Sequence, residues 1–300
     1  MANTQELNRR IGATTNTRKI TRAMEMVAAA KLRRAQDRIQ TLRPFAKSIL
    51  ELTARVAVGA RNAVNHPLLE QREVKTVCLV VYTGDRGLAG ALNANILKRA
   101  LVLKDEWEAK GANVEFMSVG RRGGASLLFR GIDTKLNGAF EGITDSPRFR
   151  DAEEIAAKVI DGFRDAKFDH VQIIYNHFDS AISQTVITQD LLPLTDELLE
   201  SALEGDEDST EATSHTAAWE FEPSEDELLD RLLPTYVEQT CYRALLESTA
   251  SEHGARMSAM RNATENAGEI IDALTLERNR VRQAAITQEI LEIVAGADAL

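Results

Sequence analysis

Residues 225–294 contain a single proline, Pro234, near their start, and Met257, Met260, Thr264, Ala267, Ile271, Leu274, Arg278, Val281, Ala285 and Gln288 recur there at alternating spacings of three and four. That is the period with which one helix packs along another. About 70 helical residues rising 1.5 Å each make a rod of about 100 Å, too long to stand alone, so it needs a partner along its length. The N-terminal segment supplies a matching stripe: Leu7, Ile11, Thr14, Arg18, Thr21, Glu25, Ala28, Leu32, Ala35, Ile39, Leu42, Ala46, Ile49, Thr53 and Val56. Its second half is a clean heptad seam. Its first half carries Gly12 and the run Thr14-Thr15-Asn16-Thr17, poor helix formers that put polar groups in the seam, so this part either frays or is held by a partner protein. Pro44 falls inside the pattern and reads as a local kink. Gly59 and His66-Pro67 mark the stop. Only 5% of residues are aromatic, so the helix contacts rest on Ala, Leu, Ile and Val, and small seam residues permit close approach.

Between the two rods the period changes to two. Residues 74–82 (VKTVCLVVY) are β-branched and apolar, as in a strand covered on both faces. Residues 88–110 read as a helix, 113–119 as a strand, 152–166 as a helix, and 170–176 and 184–188 as strands. This alternation predicts an α/β domain with an at least partly parallel sheet. The fold class is therefore α/β: a long antiparallel coiled coil of N- and C-terminal helices with an inserted Rossmann-like α/β domain. Its segments are an N-terminal shaft helix (1–60), an α/β foot domain (70–202), an acidic loop and foot segment (203–223) and a C-terminal shaft helix (224–300). Ser224 followed by Glu227 forms a capping box for the last helix.

The net charge of −10 hides two opposed segments. Residues 1–60 hold 12 Lys/Arg against four Asp/Glu, whereas residues 190–230 hold 15 Asp/Glu and no Lys or Arg. The two regions must serve different surroundings. Residues 204–218 (EGDEDSTEATSHTAA) have no large apolar side chain and read as an exposed loop. Cys78 and Cys241 are far apart in sequence, and Cys78 lies in an apolar run, so reduced buried thiols are expected rather than a disulfide framework. No apolar stretch approaches the roughly 18–20 residues that span a bilayer, and the N-terminus lacks a signal-peptide core. A role at a membrane would be peripheral.

A self-contained active site is not legible. The chain has no Gly-Lys dipeptide, so no Walker-type loop, and no Gly-x-Ser-x-Gly elbow. Gly84-Asp85-Arg86-Gly87-Leu88-Ala89-Gly90 follows a strand and opens a helix, as a dinucleotide loop does, but its spacing is G-x-x-G-x-x-G, and a tight strand-to-helix turn is the simpler reading. The five His residues show no metal-ligand spacing. The tips of the rods stand out instead. Met24 and Met26 mix with Arg18, Lys19 and Arg22, a composition that suits either core filling or a surface that slides against changing partners. Arg282, Gln283, Thr287 and Glu289 crowd polar groups into the far end of the C-terminal helix. With Arg278 and Gln288 in seam positions, this end has outgrown its internal partner.

Three stretches are recognisable together. They are Arg9-Arg10-Ile11 with the run from Asn16 to Leu32 (NTRKITRAMEMVAAAKL), Asp85-Arg86-Gly87-Leu88 with Asn93, and Arg261-Asn262-Ala263-Thr264-Glu265-Asn266-Ala267 through the run from Arg282 to Ile290 (RQAAITQEI). They closely resemble the gamma subunit of F-type ATP synthases, and the likeness spans the whole chain. The resemblance implies a central rotor stalk that couples transmembrane proton flow to ATP synthesis or hydrolysis by turning inside a ring of three alpha and three beta subunits. It implies a non-catalytic subunit with no cofactor, no metal and no catalytic residues of its own. It places contacts to the alpha/beta ring at Met24, Arg256, Arg282, Gln283, Thr287 and Glu289. It places contacts of the foot with the c-subunit ring and the epsilon subunit at Trp219, Phe221 and Glu222. One copy per complex is implied, at the cytoplasmic face of the plasma membrane and touching the membrane only through the c ring. Thr83-Gly84 stand before Asp85 where most relatives have a serine, and the acidic loop 204–218 reads as an insertion.

Two other readings compete. The basic first helix ahead of a heptad seam could be a coiled-coil nucleic-acid-binding region, against which stand its interspersed acids and methionines and the acidic total charge. A nucleotide-dependent enzyme on the α/β domain is weakened by the missing phosphate motif.

Overall fold

The structure, a computed structural model, describes residues 4–59, 66–195 and 224–298. Helix α1 (Thr4–Gly59) is followed by a short 3-10 turn (Pro67–Leu69), β1 (Thr76–Tyr82), α2 (Leu92–Ala109), β2 (Asn113–Val119), α3 (Arg121–Phe129), β3 (Ala139–Phe140), α4 (Phe149–Arg164), β4 (His170–Phe178), β5 (Gln184–Leu192) and α5 (Glu225–Asp298). The chain divides into two compact units, Met1–Ala30 with Arg256–Leu300, and Lys31–Ala255. The division falls inside both long helices rather than at their ends.

In the first unit α1 and α5 pair antiparallel. Thr21 and Thr264 face each other with their hydroxyls 2.8 Å apart, while Gly268, further along α5, lies beside the guanidinium of Arg18, further back along α1. Leu7, Thr21 and Ala28 of the N-terminal stripe are buried, as are Met260 and Ala267 of the C-terminal one. Ile271, Leu274, Arg278 and Val281 are half-buried, and from Arg282 to Ala295 every side chain is exposed. The helix does not fray at Gly12 or at Thr14 to Thr17, and the chain's own α5 runs beside α1 at Arg18 and Thr21. The threonine hydroxyls are satisfied locally: Thr17 donates to the Ala13 carbonyl at 3.2 Å and Thr21 to that of Arg18 at 3.1 Å. Seam burial, at about 1.5–3 kcal/mol for each large apolar side chain, outweighs tenths of a kcal/mol of poor propensity per residue.

The second unit is built on a five-stranded sheet of order β3-β2-β1-β4-β5, parallel except for the antiparallel β4–β5 pair. β1 is central, and its side chains alternate between two cores. Val77, Leu79 and Val81 pack with Ile96, Leu97, Ala100 and Leu103 of α2 and Leu127 of α3. Cys78, Val80 and Tyr82 pack on the other face with Ile155, Val159 and Phe163 of α4, and with Val56 of α1 and Leu229, Leu233, Val237, Cys241 and Leu245 of α5. Both cysteines are buried free thiols. Burial pushes the Cys241 thiol up to about 12 and that of Cys78 higher still, so neither is a reactive thiolate. Ser224 accepts a hydrogen bond from the Glu227 amide at 3.3 Å, which caps the start of α5.

Three differences from the sequence reading have local causes. Helix α2 begins at Leu92 rather than residue 88, because Leu88 and Gly90 take left-handed φ values of 65° and 58°. Helix α3 was invisible because Gly123 and Gly124 lower its propensity. They are needed for close packing, since a Cβ on Gly123 would lie 2.6 Å from the Thr83 hydroxyl oxygen. Strand β5 runs on to Leu192, its partner strand continuing opposite. The antiparallel pairing yields a direct expectation: Leu7→Ala, at a seam position 1% exposed, lowers stability by about 2–5 kcal/mol, visible as earlier loss of helical signal in thermal unfolding.

Candidate functional site

Two regions concentrate exposed or polar function: the unpartnered end of α5 in the first unit, and a polar collar at the carboxyl ends of the strands in the second. Beyond Val281 the positions of Arg282, Gln283, Thr287 and Glu289 span one side of the helix, an arc of about 160° at 100° per residue. Ile286 and Ile290 fall inside that arc and are 48% and 55% exposed. The Thr287 hydroxyl donates to the Gln283 carbonyl at 2.9 Å, the helix-internal bond expected of a threonine on a solvated turn. Long polar side chains interleaved with isoleucines form a face that can take both apolar contact and hydrogen bonds.

Arg256 and Met24 do not join this face. Arg256 is buried at 7% exposure and stands 26 residues before Arg282, or about 39 Å along the helix. Met24 is half-buried on α1, whereas Ile20, Met26 and Val27 around it are 61%, 60% and 57% exposed. The greasy surface near the N-terminal tip therefore consists of these three more than of Met24. Trp219, Phe221, Glu222 and the acidic loop lie outside the described residues.

In the second unit the connection reverses between β1 and β4, which in an open α/β sheet is where a nucleotide binds. Here α5 lies across the crevice. Thr249 donates to the Thr144 carbonyl at 2.9 Å and Ser251 to the Asn176 carbonyl at the end of β4 at 3.2 Å. The Glu247 carboxylate meets Nδ1 of His177 at 2.5 Å. The Glu252 carboxylate sits against Gly84, so closely that a Cβ there would be 2.6 Å from it. Glu252 and His253 are 3% and 1% exposed. At Gly84, the first residue of the turn, Glu252 fills the space over the backbone.

The turn itself is occupied by its own carboxylate. Asp85 accepts hydrogen bonds from the amides of Arg121 and Gly142 on Oδ1 at 3.0 and 2.9 Å, and from the amide and hydroxyl of Thr144 on Oδ2 at 3.0 and 2.9 Å. Burial acts to raise its pKa above the ordinary 3.8, but these donors, led by the Gly142 amide, outweigh it and hold the carboxyl below that value. The Gly-rich turn is thus a tight turn locked by a side chain, as the simpler reading had it. Asp145 is held below its ordinary value in the same way: burial opposes, and the hydrogen bond and charge of Lys31 prevail. An open groove of about 610 Å³ beside the turn is lined by Leu88, Leu97 and Leu101 with Lys98, Arg122 and Arg130. It brings together cations and aliphatic side chains. Thr144, Asp145 and Lys31 escaped the sequence reading because their partners lie 59 to 114 positions away, a separation that leaves no local pattern.

A family model described as ATP synthase matches residues 3–300. The chain belongs to the ATP synthase gamma-subunit family. Among solved structures it is similar to the central stalk/c-ring structure of the Tetrahymena thermophila mitochondrial ATP synthase, with 29% identity and a TM-score of 0.61 over 81% of this chain and 99% of that one. The fold is also shared with the rotor of the Euglena gracilis mitochondrial ATP synthase in rotational state 1, at 19% identity and a TM-score of 0.59, covering 94% of this chain and 98% of that one. Gamma subunits are central-stalk subunits, and the function of this chain is that of a stalk. The nucleic-acid reading finds no support in these likenesses.

The Asp85 geometry sets a pH expectation. A carboxylate with a depressed folded-state value stabilises the fold fully above its unfolded value, and that contribution is lost as pH falls through the folded value. Asp85→Asn costs on the order of 1–3 kcal/mol at neutral pH, because four donors lose a charged acceptor. The gap between variant and parent closes below about pH 4, measured by denaturant unfolding as a function of pH.

Proposed function

We propose that this gamma-family chain is the non-catalytic rotor of its complex. It turns inside a ring of three alpha and three beta subunits and couples transmembrane proton flow to ATP synthesis or hydrolysis on the beta subunits. The observation that carries this reading is the end of the seam at Val281 with α5 continuing through Asp298. An exposed helix end bearing Ile286, Ile290, Leu291, Ile293 and Val294, each 48–71% exposed, calls for an outside surface to bury them. A surrounding sleeve supplies it. Because the rod is asymmetric, it offers each of three equivalent neighbours a different face, and each neighbour then favours a different conformation and nucleotide affinity. Rotation exchanges those affinities. The filled crevice of the α/β domain supports a subunit that does no chemistry of its own.

The ring contacts fall to Met24, Arg256, Arg282, Gln283, Thr287 and Glu289. The foot meets the c ring and the epsilon subunit through Trp219, Phe221 and Glu222, at the cytoplasmic face of the plasma membrane. No helix among the described residues is long and apolar enough to cross a membrane. The acidic segment 204–218 tunes the contact with the c ring or epsilon; its sequence proximity to Trp219 motivates this.

The chain should co-purify with alpha and beta subunits. Arg282→Ala removes a charge-assisted hydrogen bond of about 1.5–3 kcal/mol, so ATP synthesis by the assembled complex slows about tenfold while the thermal unfolding of the isolated chain stays as it was. Normal synthesis in that variant removes Arg282 from the ring contacts. Deletion of 206–216 changes ATPase inhibition or proton pumping in membrane vesicles, and unaltered values for both would leave the segment a plain linker.

A further inference from the structure

Loop 142–148, between β3 and α4, touches three separate parts of the second unit. Thr144 holds the β1 turn, through its amide and hydroxyl to Asp85, and in return its hydroxyl oxygen accepts from the Asp85 amide at 2.8 Å. The carbonyl of the same residue accepts the Thr249 hydroxyl of α5. On α1, the Lys31 ammonium lies 2.6 and 2.5 Å from the two carboxylate oxygens of Asp145, and Arg38 donates to the Pro147 carbonyl at 3.3 Å. One short loop thus binds the sheet, α1 and α5 by polar contacts.

We propose that this loop is a strap that fixes the rotational angle of both long helices on the α/β domain, with Lys31 and Asp145 as the positioning pair for α1. This rests on the central-stalk reading, in which torque must pass between the α/β domain and the helices. The apolar cluster containing Val56, Leu229 and Leu233 opposes separation, but such contact is non-directional and permits sliding. Hydrogen bonds are directional and weaken steeply when misaligned. Lys31 and Arg38 are seven residues apart, two turns or about 10 Å along one face of α1. They stand immediately before the seam positions Leu32 and Ile39, and two anchors on one face resist both twist and tilt. Stability is not the purpose of the ion pair. Its side chains are 29% and 42% exposed, and such partly solvated pairs add little to unfolding free energy. What the pair adds is a position.

The load path continues inward from the strap. A force on Lys31 reaches Asp145, then the adjacent Thr144, then Asp85, whose carboxylate also holds the first amide of α3. From Asp85 it enters β1 at the centre of the sheet. On the α5 side, Thr249 shares the same residue, so the two helices are referred to one point.

The test uses the complete complex, assembled with wild-type chain, Lys31→Ala, Asp145→Asn, or the exchange Lys31→Asp with Asp145→Lys. A probe on the exposed face of α2 reports angular fluctuation against an immobilised alpha/beta ring with nucleotide turnover stalled. Both single variants should fluctuate over a roughly twofold wider angle, because one of two anchors on α1 is gone. Their thermal unfolding should match wild type, which a merely structural contact would not predict if the angle widened. The exchange, which restores the pair with reversed sign, should narrow the distribution again. Wild-type width in both single variants, or an exchange as wide as they are, overturns the strap. If the wild-type chain neither assembles nor supports ATP-driven pumping, the central-stalk reading falls instead, and the two failures are distinct.

Discussion

A helix of 74 residues has one stripe that must be buried along its whole length, and the rest of this protein answers to that requirement. Over its first thirty residues the stripe is covered by the sheet and α4, through Leu229, Leu233, Val237, Cys241 and Leu245. From Arg256 onward α1 covers it, with Thr21 meeting Thr264. Past Val281 nothing among the described residues does. The same helix is thus a core element, half of a coiled coil, and a bare rod in succession. Membership of the gamma-subunit family gives each role a place in the stalk of an ATP synthase.

The α/β unit shows how a nucleotide-type topology is put to mechanical use. Its strand order and its crossover between β1 and β4 are those of doubly wound sheets. Yet the crevice holds Glu247, Ser251 and Glu252 of α5, and the amides of Gly84 and Asp85 at the start of the turn are spent on Asn93 and Thr144. The polar ends of the strands, which elsewhere bind a ligand, here bind a helix.

Much of this was legible in the sequence, for reasons that differ by element. The rods were readable because period 3.5 repeats over many turns. β1, β2 and β4 were readable because a run such as TVCLVVY admits few other structures. The reading went astray where a tertiary contact overrides a local preference: at Gly12 to Thr17, where a poor helix former stays helical within α1, and in α3, where two glycines serve close packing against Thr83 and Ser118. Within the candidate site, Arg282, Gln283, Thr287 and Glu289 stand out as polar groups crowding the far end of the helix. Arg256 reads no differently from any other arginine, and its burial depends on contacts that spacing does not encode.

The arrangement of the two units also orders the birth of the molecule. The unit Lys31–Ala255 is contiguous in sequence, so its sheet can close while the chain is still being made. The other unit joins the first thirty residues to the last 45, with partners such as Thr21 and Thr264 separated by 243 positions. Its loop-closure entropy is largely prepaid once the intervening unit has folded and drawn those segments nearer. Until then the stripe from Leu7 to Ala28 waits in water for more than two hundred residues of synthesis. An apolar stripe left waiting is a target for chaperones or for premature association, and the polar threonines that spoil its heptad keep that interval less sticky.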